Sequence, residues 1–471
     1  MTETRVMRPS VDERRMRGKQ GRTQVPLESH SGWIAAPGRP DPIELLKEQN
    51  VTREADLVPV RHGRMMVSPF TFYRGTAKIM AADLNGTPTA DLNVQLCGDA
   101  HLSNFGVYAS PERTLLFDLN DFDETLPGPF EYDVKRLAAS FTIAARNNGF
   151  SKADGRAATI SSVAAYREAI AEFAALGVME TWYARLSEDD ILNIGRAARV
   201  ASKERQRMLE GARKQLGKAH TRDSLQALSK LAEVVDGRYR IISQPPILIP
   251  VRDLFDAVGS PEHVMRLLNE QLSAYRVTLQ DDRQHLLEKF ELIDAARKVV
   301  GVGSVGTRAF IGLLEGRDAN DPLFLQIKEA TASVLEDHLP KSRYPNHGQR
   351  VVEGQRMMQA ASDIFLGWTE GVEADRHFYW RQLRDMKGAA DVETMQPTGM
   401  SLYAHACGWT LARAHARSGD PIAIAGYLGK TDKFDRSIAD FSARYADQIE
   451  RDYERFTAAI RSGELDAVEG V

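Results

Sequence analysis

Strand-like and helix-like patterns of hydrophobic residues occur in separate blocks along the chain. Two runs rich in strand-forming residues, NVQLC and RTLLFDL, flank a polar loop between Leu92 and Phe122. Small apolar residues then recur every three or four positions in EYDVKRLAASFTIAARNNG, which predicts helix. A later block, KVVGVGSVGTRAFIGLLEGRDANDPLFLQIKEA, predicts a glycine-rich hairpin, with a helix, further strands and C-terminal helices after it. The pattern therefore predicts an α+β protein.

The first 38 residues have a different character. They are polar and arginine-rich, and Pro26 and Pro37 interrupt them. This composition predicts a flexible basic tail. Order is expected to begin near Asp41, where an acidic residue precedes the apolar face of a short helix.

Composition excludes several classes of protein. The 471 residues are 43% hydrophobic, and 61 basic against 65 acidic side chains leave a net charge of −4. Such a balance gives no general attraction to nucleic acid or to an anionic membrane. Cys97 and Cys407 are the only cysteines, which argues against a disulfide framework. No apolar run approaches the about 20 residues of a membrane span, and the N-terminus lacks the apolar core of a secretory signal. We therefore expect a cytoplasmic protein with no nucleic-acid or membrane partner.

The first candidate site is the loop GDAHLSN together with the DFDE segment after the next strand-like run. Asp99 and Asn104 are five residues apart on one loop, so a carboxylate can face a substrate hydroxyl while an amide oxygen faces a metal. A carboxylate after the following strand can hold Mg²⁺ from the other side, as phosphoryl transfer requires. The competing interpretation is that these are turn residues with local hydrogen bonds. The density of acids between Asp118 and Glu124 favours the functional interpretation, because their repulsion calls for a cation.

The second candidate site is the glycine-rich sequence GVGSVG. Gly301, Gly303 and Gly306 match GxGxxG, which occurs in dinucleotide sites, in kinase phosphate loops and in ordinary turns. A strand-like run follows here instead of a helix, and Lys328 lies at the end of the next such run, which favours the kinase arrangement. Such a lysine usually pairs with a helical carboxylate, and Glu353 is the best candidate.

These motifs carry a resemblance to known families. CGDAHLSNFG and DLNDFDE resemble the catalytic and metal motifs of aminoglycoside phosphotransferases and other protein-kinase-like enzymes. From about residue 40 to 465, including RHGRMMVSPFTFYRG and RVVEGQRMMQAASDIFLGW, the chain is similar to the bacterial family called domain of unknown function 2252. The resemblance implies a two-lobed fold, ATP and Mg²⁺. It assigns the following roles: catalytic base, Asp99; Mg²⁺ ligands, Asn104 and Asp121; phosphate loop, Gly301, Gly303, Ser304 and Gly306; phosphate lysine and its partner, Lys328 and Glu353.

Two departures from the kinase pattern concern single residues. Cys97 stands where the phosphotransferases carry histidine, and without a partnered histidine we expect it to be a buried structural thiol. Asp118, Asp121 and Asp123 compete for the metal role, and Asp121 is chosen because the aromatic Phe122 follows it.

The third departure is the order of the motifs. Kinases have the glycine loop first, whereas here the catalytic loop comes about two hundred residues before it. We therefore predict a circularly permuted kinase-like fold, which is feasible because chain termini often lie close together. The predicted divisions are a tail (1–38), the catalytic-loop part of a helical lobe (39–150), a mostly helical insertion (151–290), a β-rich nucleotide lobe (291–390) and C-terminal helices of the helical lobe (391–471).

The function expected from this resemblance is Mg²⁺-dependent transfer of phosphate from ATP to a hydroxyl, with a small molecule as acceptor. Two alternatives stay open. The same cleft can serve protein phosphorylation or nucleotidyl transfer to protein, or the fold can bind nucleotide without turnover, as a pseudokinase does. The retained Asp99, Asn104, Asp121 and Lys328 argue against the last of these. The sequence leaves the acceptor and the oligomeric state open.

Overall fold

The structure is a computed structural model, and it describes residues 9–197, 201–254, 261–299, 301–373, 375–383 and 385–470. It confirms an α+β protein in which helices predominate. The helices are α1 (Val11–Gln24), α2 (Pro42–Asn50), α3 (Val58–Met65), α4 (Pro69–Tyr73), α5 (Ala77–Leu84), α6 (Phe130–Asn147), α7 (Lys152–Phe173), α8 (Val178–Tyr183), α9 (Glu188–Ala197), α10 (Ser202–His220), α11 (Ser224–Leu231), α12 (Val251–Leu254), α13 (Pro261–Arg276), α14 (Asp281–Leu287), α15 (His347–Met358), α16 (Pro397–Ser418), α17 (Pro421–Leu428) and α18 (Lys433–Arg461).

The strands of the described residues form four antiparallel sheets. The largest has six strands in the order β12-β13-β11-β10-β9-β8, and the others are β14-β2-β3-β5, β1-β4 and β6-β7. The strands are β1 (Asn93–Leu96), β2 (Phe105–Ala109), β3 (Leu115–Leu119), β4 (Leu126–Pro129), β5 (Leu186–Ser187), β6 (Ala232–Val235), β7 (Arg238–Ile241), β8 (Leu248–Pro250), β9 (Glu291–Lys298), β10 (Ala309–Glu315), β11 (Pro322–Ala330), β12 (Gly367–Glu370), β13 (His377–Gln382) and β14 (Gly388–Ala389).

The six-stranded sheet buries apolar side chains on both faces. In β11, Leu323, Leu325 and Ile327 join one cluster with Tyr275 of α13, whereas Phe324 joins a second cluster that contains residues of α11. Alternate residues of a strand point to opposite faces, so Lys328 lies on the same face as Phe324. This alternation turns the ammonium group away from the cluster that holds Ile327.

The helical part packs around the segment that contains the predicted catalytic loop. Helix α7 packs along α16 and against α6, and α18 packs across α6. The core of this part is continuous and extends from the helices to β1, β2 and β3. The same core includes Val351 and Val352 of α15. It therefore connects the helical bundle with the helix that follows the six-stranded sheet's strand β11.

Two predicted divisions differ from the structure. Helix α7 lies inside the predicted insertion 151–290, yet it packs along α16 as a central helix of the main bundle. Small residues allow this close packing, since a Cβ on Gly408 of α16 would lie 2.0 Å from the carbonyl oxygen of Ser162 in α7. The β-rich lobe also begins before residue 291, since β8 pairs with β9 and α13 stacks Tyr275 on Trp380.

The predicted flexible tail is wrong for the part that the structure describes. Residues 1–8 lie outside the described residues, but α1 begins with a capping box of Ser10 and Glu13 and packs against α17. Gly18 lets the two backbones meet, because a Cβ there would lie 2.0 Å from the Ala423 carbonyl oxygen. Arg14 fixes the helix further with two 2.8 Å hydrogen bonds to Asp420. Across the described ranges, no helix has both the length and the apolar character needed to cross a bilayer.

Candidate active site

The predicted catalytic loop follows β1 and is held by the first turn of α6. Asp133 accepts hydrogen bonds from the backbone N–H groups of Cys97 (2.6 Å) and Gly98 (2.9 Å). Gly98 has a φ of +86°, and a Cβ there would lie 2.2 Å from the Glu124 carbonyl oxygen. Only glycine therefore fits where the loop crosses the DFDE segment.

The Asp99 carboxylate lines a cavity and is fixed on one side. Arg136 of α6 donates a 2.8 Å hydrogen bond from Nε to Oδ1, and its Nη2 forms an ion pair with the same oxygen at 2.7 Å. The other oxygen, Oδ2, lies 3.7 Å from Nε2 of His101. Burial lowers the pKa of His101 to about 3, so this imidazole is neutral at pH 7. Arg136 is therefore the cation that pairs with the Asp99 carboxylate. Asn104 donates to the Asp99 carbonyl oxygen at 2.6 Å, which closes the loop.

Lys328 meets the acidic segment across a sequence separation of about two hundred residues. Its ammonium group donates a short hydrogen bond to Asp123 and lies 3.6 Å from Oδ2 of Asp121. Tyr379 of the neighbouring strand β13 donates to the other Asp123 oxygen at 2.8 Å. The structure therefore brings Lys328 next to Asp121, which lines the cavity, although Lys328 itself is not one of the lining residues.

The two carboxylates respond differently to this cation. The ammonium of Lys328 lowers the pKa of Asp123 despite its burial. Burial, followed by the charge of Asp123, raises the pKa of Asp121. The pKa of Lys328 is itself raised by the two carboxylates, which outweigh the opposing effect of burial. Asp123 is thus the principal counter-ion of Lys328, although the sequence favoured Asp121 for the metal role.

Asp118 plays a structural part. Its side chain is fully buried, forms an ion pair with Arg413 of α16 and accepts from the backbone N–H of Ala360 at 2.8 Å. It does not line the cavity. Cys97 is likewise buried and free, as predicted, and burial raises the pKa of its thiol well above the usual value. Cys407 is also buried and free.

The glycine-rich loop between β9 and β10 lines the same cavity. Gly301 and Gly306 have φ values of +67° and +89°, which side chains other than glycine rarely adopt. Ser304 reaches Oδ2 of Asp123 at 3.4 Å. Within the described residues, the backbone N–H groups of Gly303 and Ser304 donate to no acceptor. Free N–H groups on such a loop can bind an anion.

The predicted pairing of Glu353 with Lys328 is not present. Glu353 forms an ion pair with Arg356 at 3.1 Å and lines a different cavity. The residue of α15 that reaches the acidic segment is the buried Arg350, which donates to the carbonyl oxygens of Asp123 (2.8 Å) and Thr125 (2.7 Å). Arg350 and Glu353 lie about one turn apart on α15. The apolar pattern of the helix therefore does not predict which of the two side chains contacts the acidic segment.

The cavity between these elements has a volume of about 330 Å³. It is lined by Asp99, Asn104, Asp121, Asp123, Gly301, Gly303 and Ser304, and by basic and acidic side chains from the segment before β1. Arg53 and Arg74 are among these and were not identified from the sequence. They lie in connections near short helices, where neither spacing nor periodicity marks a binding residue.

The donor set can be compared with the needs of Mg²⁺. Asp121 and Asp123 offer carboxylate oxygens and Asn104 an amide oxygen, the ligand types that Mg²⁺ prefers, usually with water and phosphate completing the shell. Among the described residues, no three His, Cys, Asp or Glu side chains are grouped closely enough to hold a metal by themselves. The residues thus fit a cation that a phosphate helps to bind, and do not form a complete protein cage.

Comparison with known proteins identifies the family. The family model described as an uncharacterised protein conserved in bacteria, DUF2252, matches residues 53–459. The chain belongs to the DUF2252 family. Neither the curated proteins nor the solved structures include a match to it. The DUF2252 match includes the GDAHLSN loop, the acidic segment, the glycine-rich loop and Lys328, and it begins at Arg53.

Proposed function

We propose that this DUF2252 protein is an ATP- and Mg²⁺-dependent phosphotransferase that acts on a hydroxyl group of a small-molecule acceptor. The observation that carries the proposal is the contact of Lys328 with Asp123 and Asp121 beside a cavity that Asp99 also lines. A phosphate-binding lysine, metal-binding carboxylates and a catalytic carboxylate are the parts that phosphoryl transfer uses. The cavity, at about 330 Å³, suits a phosphate chain and a small acceptor better than a protein surface.

Each side chain has a role in this reaction. Asp99, held at Oδ1 by Arg136, presents Oδ2 to the acceptor hydroxyl and accepts its proton. Lys328 neutralises charge on the donor phosphates, and the free N–H groups of Gly303 and Ser304 bind phosphate oxygens. Asn104, Asp121 and Asp123 would hold Mg²⁺, which supplies charge neutralisation at the phosphates when bound.

The fold that we propose for this function is kinase-like and circularly permuted. A hairpin with a glycine loop (β9 and β10), a strand with the lysine (β11) and then a helix (α15) follow one another as in kinases. The C-terminal end of α16 lies against the start of β1, since Ser418 Oγ accepts from the backbone N–H of Gln95 at 3.1 Å. Joining α16 directly to β1 would restore the kinase order of glycine loop, lysine and catalytic loop.

The test measures ATP consumption and phosphorylated products in bacterial metabolite extracts with Mg·ATP, for the wild type and for Asp99→Asn. Loss of a general base predicts turnover at least about 100-fold lower. Binding of Mg·ATP, measured by calorimetry, is expected to stay nearly unchanged in this variant. Equal turnover in the two proteins would overturn the role of Asp99.

One observation favours a second candidate, a module that binds nucleotide without turnover. In the described parts of the chain, Lys328 has no ion pair with a helical carboxylate of the kind that active kinases use, and Glu353 pairs with Arg356. ATP binding without ATP consumption or product in any extract would support this module. Mass spectrometry of the products also separates phosphoryl from nucleotidyl transfer, since the added masses differ.

A further inference from the structure

Two arginines of the cavity have hydrogen-bonding capacity that the protein does not use. Nε of Arg53 and Nε of Arg74 are buried without a hydrogen-bond partner, and neither guanidinium forms an ion pair with a carboxylate among the described residues. Arg74 donates no side-chain hydrogen bond within those residues. Both residues are half-buried, and a partly buried guanidinium without a paired carboxylate is suited to binding a negatively charged ligand.

Arg53 is built into the glycine-rich loop. It follows α2, and its Nη1 donates to the Val305 carbonyl oxygen. The next residue, Glu54, donates its backbone N–H to the Gly306 carbonyl oxygen at 2.7 Å. A Cβ on Gly306 would lie 3.1 Å from the Arg53 side chain. The arginine is therefore packed on the loop whose Gly303 and Ser304 line the cavity.

Arg74 contacts the same loop at a different residue and lines the cavity with Asp99. Its backbone carbonyl oxygen would be 2.9 Å from a Cβ on Gly303. Burial lowers the pKa of Arg74, and the nearby charges of Glu393 and Asp99 oppose this effect. Arg74 lines the cavity together with Asp99 and Gly303.

We propose that Arg53 and Arg74 form an anion subsite that binds the phosphate chain of the donor nucleotide. The inference rests on the proposed function for the identity of the ligand. A planar guanidinium matches the spacing of phosphate oxygens and binds them with charge-assisted hydrogen bonds. Arg53 holds the phosphates that lie under the glycine-rich loop. Arg74, beside Asp99, binds the phosphoryl group at the point of transfer and stabilises its developing charge, as arginines do in other phosphotransfer enzymes.

Lys78 provides a control inside the same cavity. It is a cation as well, but it is already paired with Asp337 at 2.8 Å and Glu48 at 3.3 Å. Replacing it with glutamine removes the same charge as Arg74→Gln does. A general electrostatic effect would weaken anion binding equally in both variants, whereas a specific subsite predicts a large loss in Arg74→Gln and little loss in Lys78→Gln.

The experiment measures calorimetric binding of inorganic tripolyphosphate, without nucleoside or metal, to the full-length protein and to Arg53→Gln, Arg74→Gln and Lys78→Gln. Losing charge-assisted hydrogen bonds predicts at least about a tenfold weaker affinity for each arginine variant and less than about threefold for Lys78→Gln. Arg74→Lys, which keeps the charge, guards against misfolding and is expected to be intermediate. Circular dichroism of every variant confirms its fold.

The outcomes separate this inference from the proposed function. Unchanged affinity in both arginine variants, an equal loss in Lys78→Gln, or no binding of tripolyphosphate by the wild type at millimolar concentration overturns the subsite. If tripolyphosphate binding requires both arginines but no phosphoryl transfer is found, the subsite stands and the phosphotransferase function fails. A parallel titration with ATP distinguishes nucleotide from free polyphosphate as the ligand. We expect ATP to bind more tightly than tripolyphosphate, with the same dependence on Arg53 and Arg74. ATP binding that is independent of these arginines overturns the proposal.

Discussion

Replacing Lys328 with methionine tests the centre of the site. Lys328 is 2% exposed, and its ammonium is the cation shared by Asp123 and Asp121. Methionine keeps an apolar stem of similar volume in β11 and removes the charge. The variant leaves two neighbouring carboxylates without their counter-ion. The two residues are also linked by a 3.3 Å hydrogen bond from the backbone N–H of Asp123 to Oδ1 of Asp121.

The size of the effect follows from burial. Removing one partner of a buried ion pair costs roughly 3 to 5 kcal/mol. The side chains of Asp121 and Asp123 are 31% and 25% exposed, so water screens part of this cost. We therefore expect a loss of about 2 to 4 kcal/mol. The unfolding entropy of 471 residues is roughly 1 kcal/mol per kelvin, so Tm falls by about 2 to 4 °C.

The assay is a thermal-denaturation cycle with Lys328→Met, Asp123→Asn and the double variant. Asp123→Asn removes one of the repelling carboxylates, so in the Lys328→Met background it should cost little or raise Tm. The expected coupling is about 1 to 3 kcal/mol. Additive changes in Tm would refute the claim that the two side chains form an energetically important pair.

The same variant tests the assignment of the carboxylates as cation ligands. With Lys328 removed, Mg²⁺ is expected to raise Tm more in Lys328→Met than in the wild type, because the carboxylates have lost a competing cation. Sodium chloride at equal ionic strength is the control for screening. A magnesium shift that is equal or smaller in the variant would contradict the assignment.

Three further predictions concern the surroundings of the site. Gly98→Ala should lower the free energy of unfolding by at least about 2 kcal/mol, because it combines a positive φ with a 2.2 Å clash at the Glu124 carbonyl oxygen. Gly86→Ala, with φ +87° and open space around it, should lower it by about 1 kcal/mol. Equal Tm values for the two variants would refute this prediction. Asp118→Asn should cost about 3 to 5 kcal/mol by breaking the buried pair with Arg413 and leave calorimetric ATP binding unchanged, so weakened binding in a folded variant would restore Asp118 as a ligand. Burial raises the pKa of Glu124 from 4.5 to about 7, so between these pH values the folded state binds more protons than the unfolded state. As the pH rises from 5 to 7, the Tm of the wild type should therefore fall relative to that of Glu124→Gln. Parallel Tm profiles of the two proteins would contradict this prediction.

Local chemistry could be predicted from the sequence where it depends on residues close together in the chain. The alternation of Leu325, Ile327 and Lys328 in a strand, and the GDAHLSN loop after β1, both have local signals. The helix α1 had one as well, the capping box of Ser10 and Glu13, but its only buried residue is Gly18 and it has no apolar stripe. A helix that packs through glycine and arginine contacts is not visible to a search for hydrophobic periodicity.

The remaining features depend on distant contacts. The pair of Lys328 and Asp123 is separated by 205 positions, and Arg53 meets Val305 across 252. The choice between Arg350 and Glu353 depends on the rotation of one helix, which packing against the rest of the molecule sets. These contacts are consequences of how the parts of the chain dock.

The contact of Lys328 with the acidic segment also bears on the order of ligand binding. In this structure Lys328 occupies the carboxylates that the proposed reaction assigns to Mg²⁺. A metal arriving alone must displace a buried ammonium that forms no ion pair with any other carboxylate of the described residues, so its binding is opposed by the cost of an unpaired charge. A phosphate chain gives Lys328 a new partner and gives the metal further oxygen ligands. Metal and nucleotide should therefore bind cooperatively, each tightening the binding of the other by the same factor.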